Sequence, residues 1–273
     1  MKFEQIMNRI LYKGLVILML MVTATAQAQP NEFCGIKNRS FKNGEKVVFK
    51  VYYNMGMIWA GAGTATFTTQ LTTYNNKPVY YVKGVGKTYS SYEWFYKVYD
   101  VYESYIDTGN LMPIKFLRDV NEGGFKFKNN VTFNHQRNQA ISTNGVFNIP
   151  DCVQDVLSTI YYARNIDYSK YKPGDKIPFN MFLDDQVYSL YIRYVGKEVI
   201  KTRYGTFKTI KIAPLLIEGT MFKGGENMAV WVTDDENHIP VRIDSPIAIG
   251  SIKVDLMEYQ NLRHPMSALL KKR

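Results

Sequence analysis

The sequence predicts a mainly β protein: a large antiparallel curved sheet or barrel-like β structure with one or two covering helices. Three observations support this. Tyr, Phe and Trp make up 14% of the 273 residues, and aromatic side chains favour strands. From Phe41 onward the dominant pattern is alternation of apolar residues at every second position, the mark of half-buried strands. One segment, Asp151–Arg164, carries a clear helical stripe.

Taken in order, Val47, Phe49, Val51 and Tyr53 share one face of a first strand and Lys46 and Lys50 the other, after the turn signal Asn43-Gly44. Ala62–Leu71 is Thr-rich and extended, Asn75-Asn76-Lys77-Pro78 breaks it, and Val79–Val85 returns as a strand. A shorter helix is expected over Tyr89–Lys97. Leu111–Arg118 and Gly124–Asn134 are further strands. In the second, Phe125, Phe127, Val131 and Phe133 keep one parity through Asn129-Asn130, compatible with one long strand or a hairpin, and the turn is expected at 135–138. In the long helix Asp151 is the expected N-cap and Gln154 completes the capping-box spacing. Val153, Val156, Leu157, Ile160 and Tyr161 then form the stripe. Strands follow at Lys176–Phe182, Val187–Val195, Glu198–Thr202, Thr206–Pro214, Asn227–Thr233, Ile239–Asp244 and Ile249–Glu258, separated by turn residues such as Asp184-Asp185, Tyr204-Gly205 and Asp234-Asp235-Glu236-Asn237.

Residues 1–28 read as a cleaved secretory signal peptide: basic Lys2, Arg9 and Lys13, the apolar run Gly14–Val22, then Ala26-Gln27-Ala28. The apolar run is shorter than the roughly 20 residues a membrane-spanning helix needs. Residues 29–273 then form a single β-rich domain, since no Pro/Gly/Ser-rich linker divides them. The expected location is the periplasm or the outer-membrane surface, with the processed chain soluble. Losing the leader lowers the net charge of +10 by 2, to +8. On an exported chain that charge points to envelope anions, not to nucleic acid. Cys34 and Cys152 are the only cysteines, and an oxidising compartment favours a disulfide between them.

Catalytic signatures are missing. There is no nucleophile elbow, phosphate loop, zinc motif or dinucleotide fingerprint, so no catalytic residue, metal or cofactor is implied. His135, His238 and His264 lack the short spacing of metal ligands. Asp184-Asp185 and Asp234-Asp235-Glu236 suit turns better than calcium loops. The densest local feature is the aromatic belt Tyr89, Tyr92, Trp94, Phe95, Tyr96, Tyr99, Tyr102 and Tyr105. The spacing of Tyr92, Tyr96 and Tyr99 suits a helix face, which makes core or lid packing the more frequent explanation of such a belt. If a ligand site exists, Tyr89, Tyr92, Trp94, Tyr96 and Tyr99 are its candidates.

At Phe41-x-x-Gly44-Glu45, Asp155-x-x-Ser158-x-x-Tyr161-x-x-Arg164, Tyr204-Gly205-x-Phe207-Lys208-Thr209 and Trp231-Val232-Thr233-Asp234-Asp235-x-x-x-Ile239-Pro240-Val241, the chain resembles an exported Gram-negative family. That family is catalogued as a domain of unknown function, number 3108. The resemblance implies a curved or barrel-like antiparallel structure similar to the YmcC-like fold, brings no catalytic residues, and has the sequence style of the Bacteroides group. Together these features lead to the expectation of a non-enzymatic envelope protein that binds a lipid, glycan or other envelope ligand. The alternatives are a structural or assembly role with an envelope protein partner, and a carboxylate-based glycan or lipid hydrolase.

Overall fold

In the computed structural model, which describes residues 33–54, 59–94, 96–217, 224–247 and 250–273, alternating sequence becomes one antiparallel sheet. The leader expected at residues 1–28 lies outside the described residues, as does Phe95. A first run comprises β1 (Lys46–Asn54), β2 (Trp59–Tyr74), β3 (Lys77–Thr88), β4 (Tyr99–Asp107), β5 (Pro113–Glu122), β6 (Phe125–Asn134), β7 (Gln139–Ser142) and β8 (Gly145–Asn148). Helix α1 (Val156–Ala163) follows. The second run comprises β9 (Lys176–Leu183), β10 (Gln186–Lys201), β11 (Gly205–Pro214), β12 (Ala229–Thr233), β13 (Pro240–Pro246), β14 (Ser251–Gln260) and β15 (Leu269–Lys272). In the sheet, β1 through β8 lie in sequence order on one side of the β1–β14 pairing and β14 back through β9 on the other, while β15 pairs with β11. The path is open, with β8 and β9 as its ends.

Local chemistry sets the hairpins. Asn75 and Asn76 join β2 to β3, and Asp184 and Asp185 join β9 to β10, all four at positive φ. Two-residue loops of that handedness match the strand twist, and Asn and Asp tolerate it best after Gly. The two strands expected at Val187–Val195 and Glu198–Thr202 are one strand, β10, because a bulge at Gly196 (φ 143°) absorbs the irregularity without ending the ladder. The hairpin β7–β8 and the strand β4 were not anticipated.

The sheet curls around α1. One core cluster joins Val82 and Ile106 from the first run, Leu157, Tyr161 and Tyr162 from α1, and Ile177, Leu190, Ile192, Ile210 and Ile212 from the second. Near the open ends Phe182 of β9 packs edge-on against Phe133 of β6, with centroids 6.1 Å apart. Across the same seam Arg118 pairs with Asp184, and Asn144 Nδ2 donates to Asp185 at 2.6 Å. Gln154 completes it in the main chain: its N–H donates to the Asn180 carbonyl and its own carbonyl accepts from Phe182 N.

That pairing corrects the expected helix start. Residues through Gln154 are claimed by the edge of β9, so α1 begins at Val156 and its N-cap is Asp155, not Asp151. Asp155 Oδ1 accepts from Ser158 N at 2.7 Å while Ser158 Oγ accepts from Asp155 N at 2.8 Å, a reciprocal capping box. The buried face is rotated from the expected stripe: Leu157, Ser158, Tyr161 and Tyr162 are buried, whereas Val156 is half-buried and Ile160 exposed. The reason is a strap over the helix: Phe33 stacks on Tyr162 and Phe179, and Phe41 meets Tyr161 edge-on.

The disulfide Cys34–Cys152 ties that strap to the residues before α1 across a sequence separation of 118. In the chain-entropy view, closing such a loop stabilises the fold by about 4–5 kcal/mol. Reduced protein should therefore lose about that much unfolding free energy in urea titrations compared with oxidised protein. Equal stabilities would show that the strap is held by packing alone.

Candidate functional site

Register decides what shares a face, because directly paired residues on neighbouring strands point the same way. On the concave face of β2–β6 this produces successive rows. Toward the core lies Thr69, Val82, Ser104, Phe116 and Val131; next come Phe67, Gly84, Tyr102, Arg118 and Asn129. Then Ala65, Gly86 and Asp100 align with Val120 and Phe127, and at the rim Thr88, Val98, Glu122 and Phe125. The deeper row is mostly apolar; the outer rows carry carboxylates, a phenol and a guanidinium. This outer end forms the mouth of the curled sheet.

Two glycines of β3 separate packing from space. A side chain at Gly84 would meet Phe67 at 3.1 Å and Leu157 of α1 at 3.6 Å, so the helix fits because that side chain is missing. A Cβ at Gly86 would meet nothing within 4 Å. Room is thus left beside Asp100, its partner on β4.

The groups around that room are chemically distinct. Asp100 is buried and accepts from Asn121 N at 2.9 Å. Half-buried Glu122 is hydrogen-bonded to Asp100; burial first, and then the Asp100 charge, push the Glu122 carboxyl up to about 7. It is therefore about half protonated near neutral pH and can donate as well as accept. Burial also raises the Tyr102 phenol, and the same carboxyls add to this, while Arg118 works against it. Arg118 stacks on Phe127, 4.7 Å from the ring centroid.

The structure divides the aromatic belt expected from sequence. There is no helix over Tyr89–Lys97; only Ser90–Tyr92 makes one 3₁₀ turn. The backbone here mostly binds neighbouring segments: Thr88 N donates to the Val98 carbonyl, Tyr89 N to the Ala62 carbonyl, and Gly123 N to the Lys97 carbonyl. Tyr96 therefore lies with its ring against Gly123, where a Cβ would collide with it, and Glu122 and Asp100 act on its phenol after burial in raising it. Tyr89 turns toward Lys50, whose ammonium is 5.8 Å from its ring. Tyr92 and Trp94 are exposed, and Tyr99 pairs with Lys87 on the outer face. Of the five expected residues only Tyr96 reaches the carboxyl pair. Asp100, Tyr102, Arg118 and Glu122 carry the rest; Tyr102 belongs to the aromatic belt, and no sequence motif flags the other three.

The other candidates serve the fold. Asp235 accepts from Thr233 Oγ1 and Asn237 N, and Asp234 pairs with Lys197. His135, His238 and His264 each bond a backbone carbonyl, those of Pro113, Arg164 and Arg39. Among the described residues no group of three or more His, Cys, Asp or Glu is placed to hold a metal. Asp155, pushed up to about 6 by burial, is enclosed with Ser104 Oγ donating to it at 2.6 Å.

Raised carboxyls in the folded state bind protons more tightly than in the unfolded chain. Their contribution to stability is complete below the ordinary carboxyl range and is lost as pH rises through about 6 for Asp155 and about 7 for Glu122. Glu122→Gln should flatten the decline in unfolding free energy across the interval from about pH 5 to about pH 8. An unchanged slope would assign the titration elsewhere.

Comparison with solved structures places this architecture among known ones. A β-barrel-like protein of the domain-of-unknown-function family DUF1849 from Brucella abortus aligns with a TM-score of 0.54 at 8% identity, covering 81% of this chain and 99% of that one. A candidate lipoprotein from Parabacteroides distasonis aligns at 13% identity and TM-score 0.35, covering 83% and 99%. A candidate exported protein with a YmcC-like fold from Bacteroides fragilis aligns at 9% identity and TM-score 0.33, covering 84% and 100%. No curated protein matches the chain. The sequence profile described as "Protein of unknown function (DUF3108)" matches residues 48–257, a span that takes in the mouth, α1 and most of the curled sheet, and the chain belongs to that family.

Proposed function

We propose that this is an exported, non-enzymatic envelope protein that holds a lipid, glycan or other envelope ligand in the mouth of the curled sheet, between Tyr96 and the concave rows. The observation that carries this reading is the open space above Gly86 beside Asp100, with Glu122, Tyr102 and Arg118 close by on the same face. An apolar recess with a few convergent polar groups is the usual form of a small-ligand site. Tyr96 and Tyr102 offer ring faces as well as hydroxyls, and the half-protonated Glu122 both donates and accepts.

Export is supported by the leader pattern in residues 1–28. Hydrolysis is the weaker reading. Glycosidase carboxyls stand at least about 5 Å apart, leaving room for a sugar carbon or a water. Asp100 and Glu122 are hydrogen-bonded to each other.

The test is native mass spectrometry and solvent extraction of protein purified from its own host. Wild type should carry a bound small molecule. Gly86→Leu, whose Cβ would meet no neighbour within 4 Å, should lose it, with the unfolding midpoint measured alongside to show that the variant is folded. Ligand-free wild-type protein, or retention in Gly86→Leu, would contradict the assignment.

A further inference from the structure

The rim of the mouth presents a second chemistry, exposed to solvent. Trp94 is 83% exposed and Phe125 64% exposed, the two most exposed aromatic side chains among the described residues. They stand on different segments that are bonded to each other: Gly123 N donates to the Lys97 carbonyl at 2.8 Å, Val98 bridges Glu122, and the Tyr96 ring lies on Gly123. The loop and the β5–β6 hairpin are thus one unit with two apolar tips. Exposed Tyr92 and Tyr99 flank them.

Basic residues lie beside these tips. Lys126 follows Phe125, Lys97 follows Tyr96, and Lys87 pairs with Tyr99 across β3 and β4. The acid nearest in sequence to Trp94, Glu93, is already matched by Lys97 at 3.2 Å. Without the expected leader the chain carries a net charge of +8, so long-range attraction to a negative surface adds to the local one.

We propose that this rim is a docking surface for an anionic phospholipid bilayer, with Trp94 and Phe125 entering the headgroup layer and Lys87, Lys97 and Lys126 contacting lipid phosphates. The chemistry favours a bilayer over the other occupants. Phe125 has no polar handle, and the Trp94 indole N–H already donates to the Ser91 carbonyl at 3.0 Å, so both rings can leave water with little polar cost. A protein partner would call for a broad flat patch, on the order of 800 Å² a side. Two protruding rings with interleaved lysines instead suit insertion between headgroups, where aromatic tips sink by about 5–10 Å and each basic residue adds an attraction that salt screens. The inference stands apart from the ligand reading, since it uses the solvent-exposed tips of the rim and not the space above Gly86.

Flotation of the exported, processed protein with vesicles tests it. Vesicles of equimolar phosphatidylglycerol and phosphatidylcholine should carry wild type upward, and pure phosphatidylcholine vesicles should carry at least about tenfold less. The double variant Trp94→Ala, Phe125→Ala should lower partitioning to the anionic vesicles by at least about tenfold, since two exposed rings lose their apolar contact. Lys97→Glu with Lys126→Glu should give a loss of similar size, and added salt should bring wild type down toward that variant. All four positions are at the surface, and matching unfolding midpoints verify that the variants remain folded. Failure of wild type to float, equal partitioning of wild type and the aromatic variant, or equal binding to neutral and anionic vesicles would each overturn the proposal. So would light scattering that showed a dimer dissolved by Trp94→Ala, which would assign the rim to a second copy.

Discussion

The rest of the structure depends on a buried ion pair at the end of α1. Arg164, the C-cap residue, donates from Nη1 to Glu45 Oε1 at 2.6 Å and from Nη2 to Oε2 at 3.0 Å, and both side chains are at most 5% exposed. Nε donates to the Asn237 carbonyl and Nη2 also to the Ser40 carbonyl, and the guanidinium lies 5.3 Å from the Tyr161 ring centroid and 5.6 Å from that of Phe41. The Arg164 carbonyl in turn accepts from Ser40 Oγ and faces His238 Nδ1. One residue therefore joins the strap, the residue preceding β1, the helix and the turn between β12 and β13. Burial opposes the Arg164 charge, but Glu45 outweighs it and the net shift is upward, so Arg164 keeps its charge.

This fixes the mouth from a distance. An eight-residue helix is about 12 Å long. Arg164 fixes one end; the other is held by Ser104 on Asp155, by the backbone pairing of Gln154 with β9, and by the disulfide. With both ends fixed, Leu157 seats against Gly84, and the space beyond it at Gly86 stays open. The curled sheet needs the helix as its filling, since the first core cluster contains residues from both runs of strands and from α1.

Most of the strands, the first meander and the Asn-Asn and Asp-Asp turns were legible because period-two alternation and left-handed turn preferences are local properties. What was not legible depended on partners remote in sequence. Tyr92, Tyr96 and Tyr99 have helical spacing, yet the backbone around them bonds to Ala62, Val98 and Gly123, and these bonds displace the helix. Gln154 has the capping-box spacing and Val153 opens the helical stripe, but the Gln154 main chain pairs with β9 and Val153 packs in a cluster with Phe182, so the helix starts later. Asp100 and Glu122 carry no motif; only the pairing of β4 with β5 brings them together. The family motifs were visible as patterns without a purpose, and the structure supplies one. Phe41, Glu45, Tyr161 and Arg164 meet in the ion-pair cluster, Asp155 and Ser158 cap the helix, and Asp235 orders the turn that presents Asn237 to Arg164. Those motif residues thus mark the scaffold, while the mouth is built from side chains outside the motifs.

The central claim is that Arg164 and Glu45 act as one unit that holds the helix in the sheet. A double-mutant cycle with Glu45→Gln and Arg164→Met, followed by urea unfolding, measures it directly. Each single variant strands a buried charge or leaves donors unmet and should cost about 3–5 kcal/mol. The double variant should cost much less than the sum, a coupling of at least about 2 kcal/mol. Single costs below about 0.5 kcal/mol, or costs that simply add, would contradict the account.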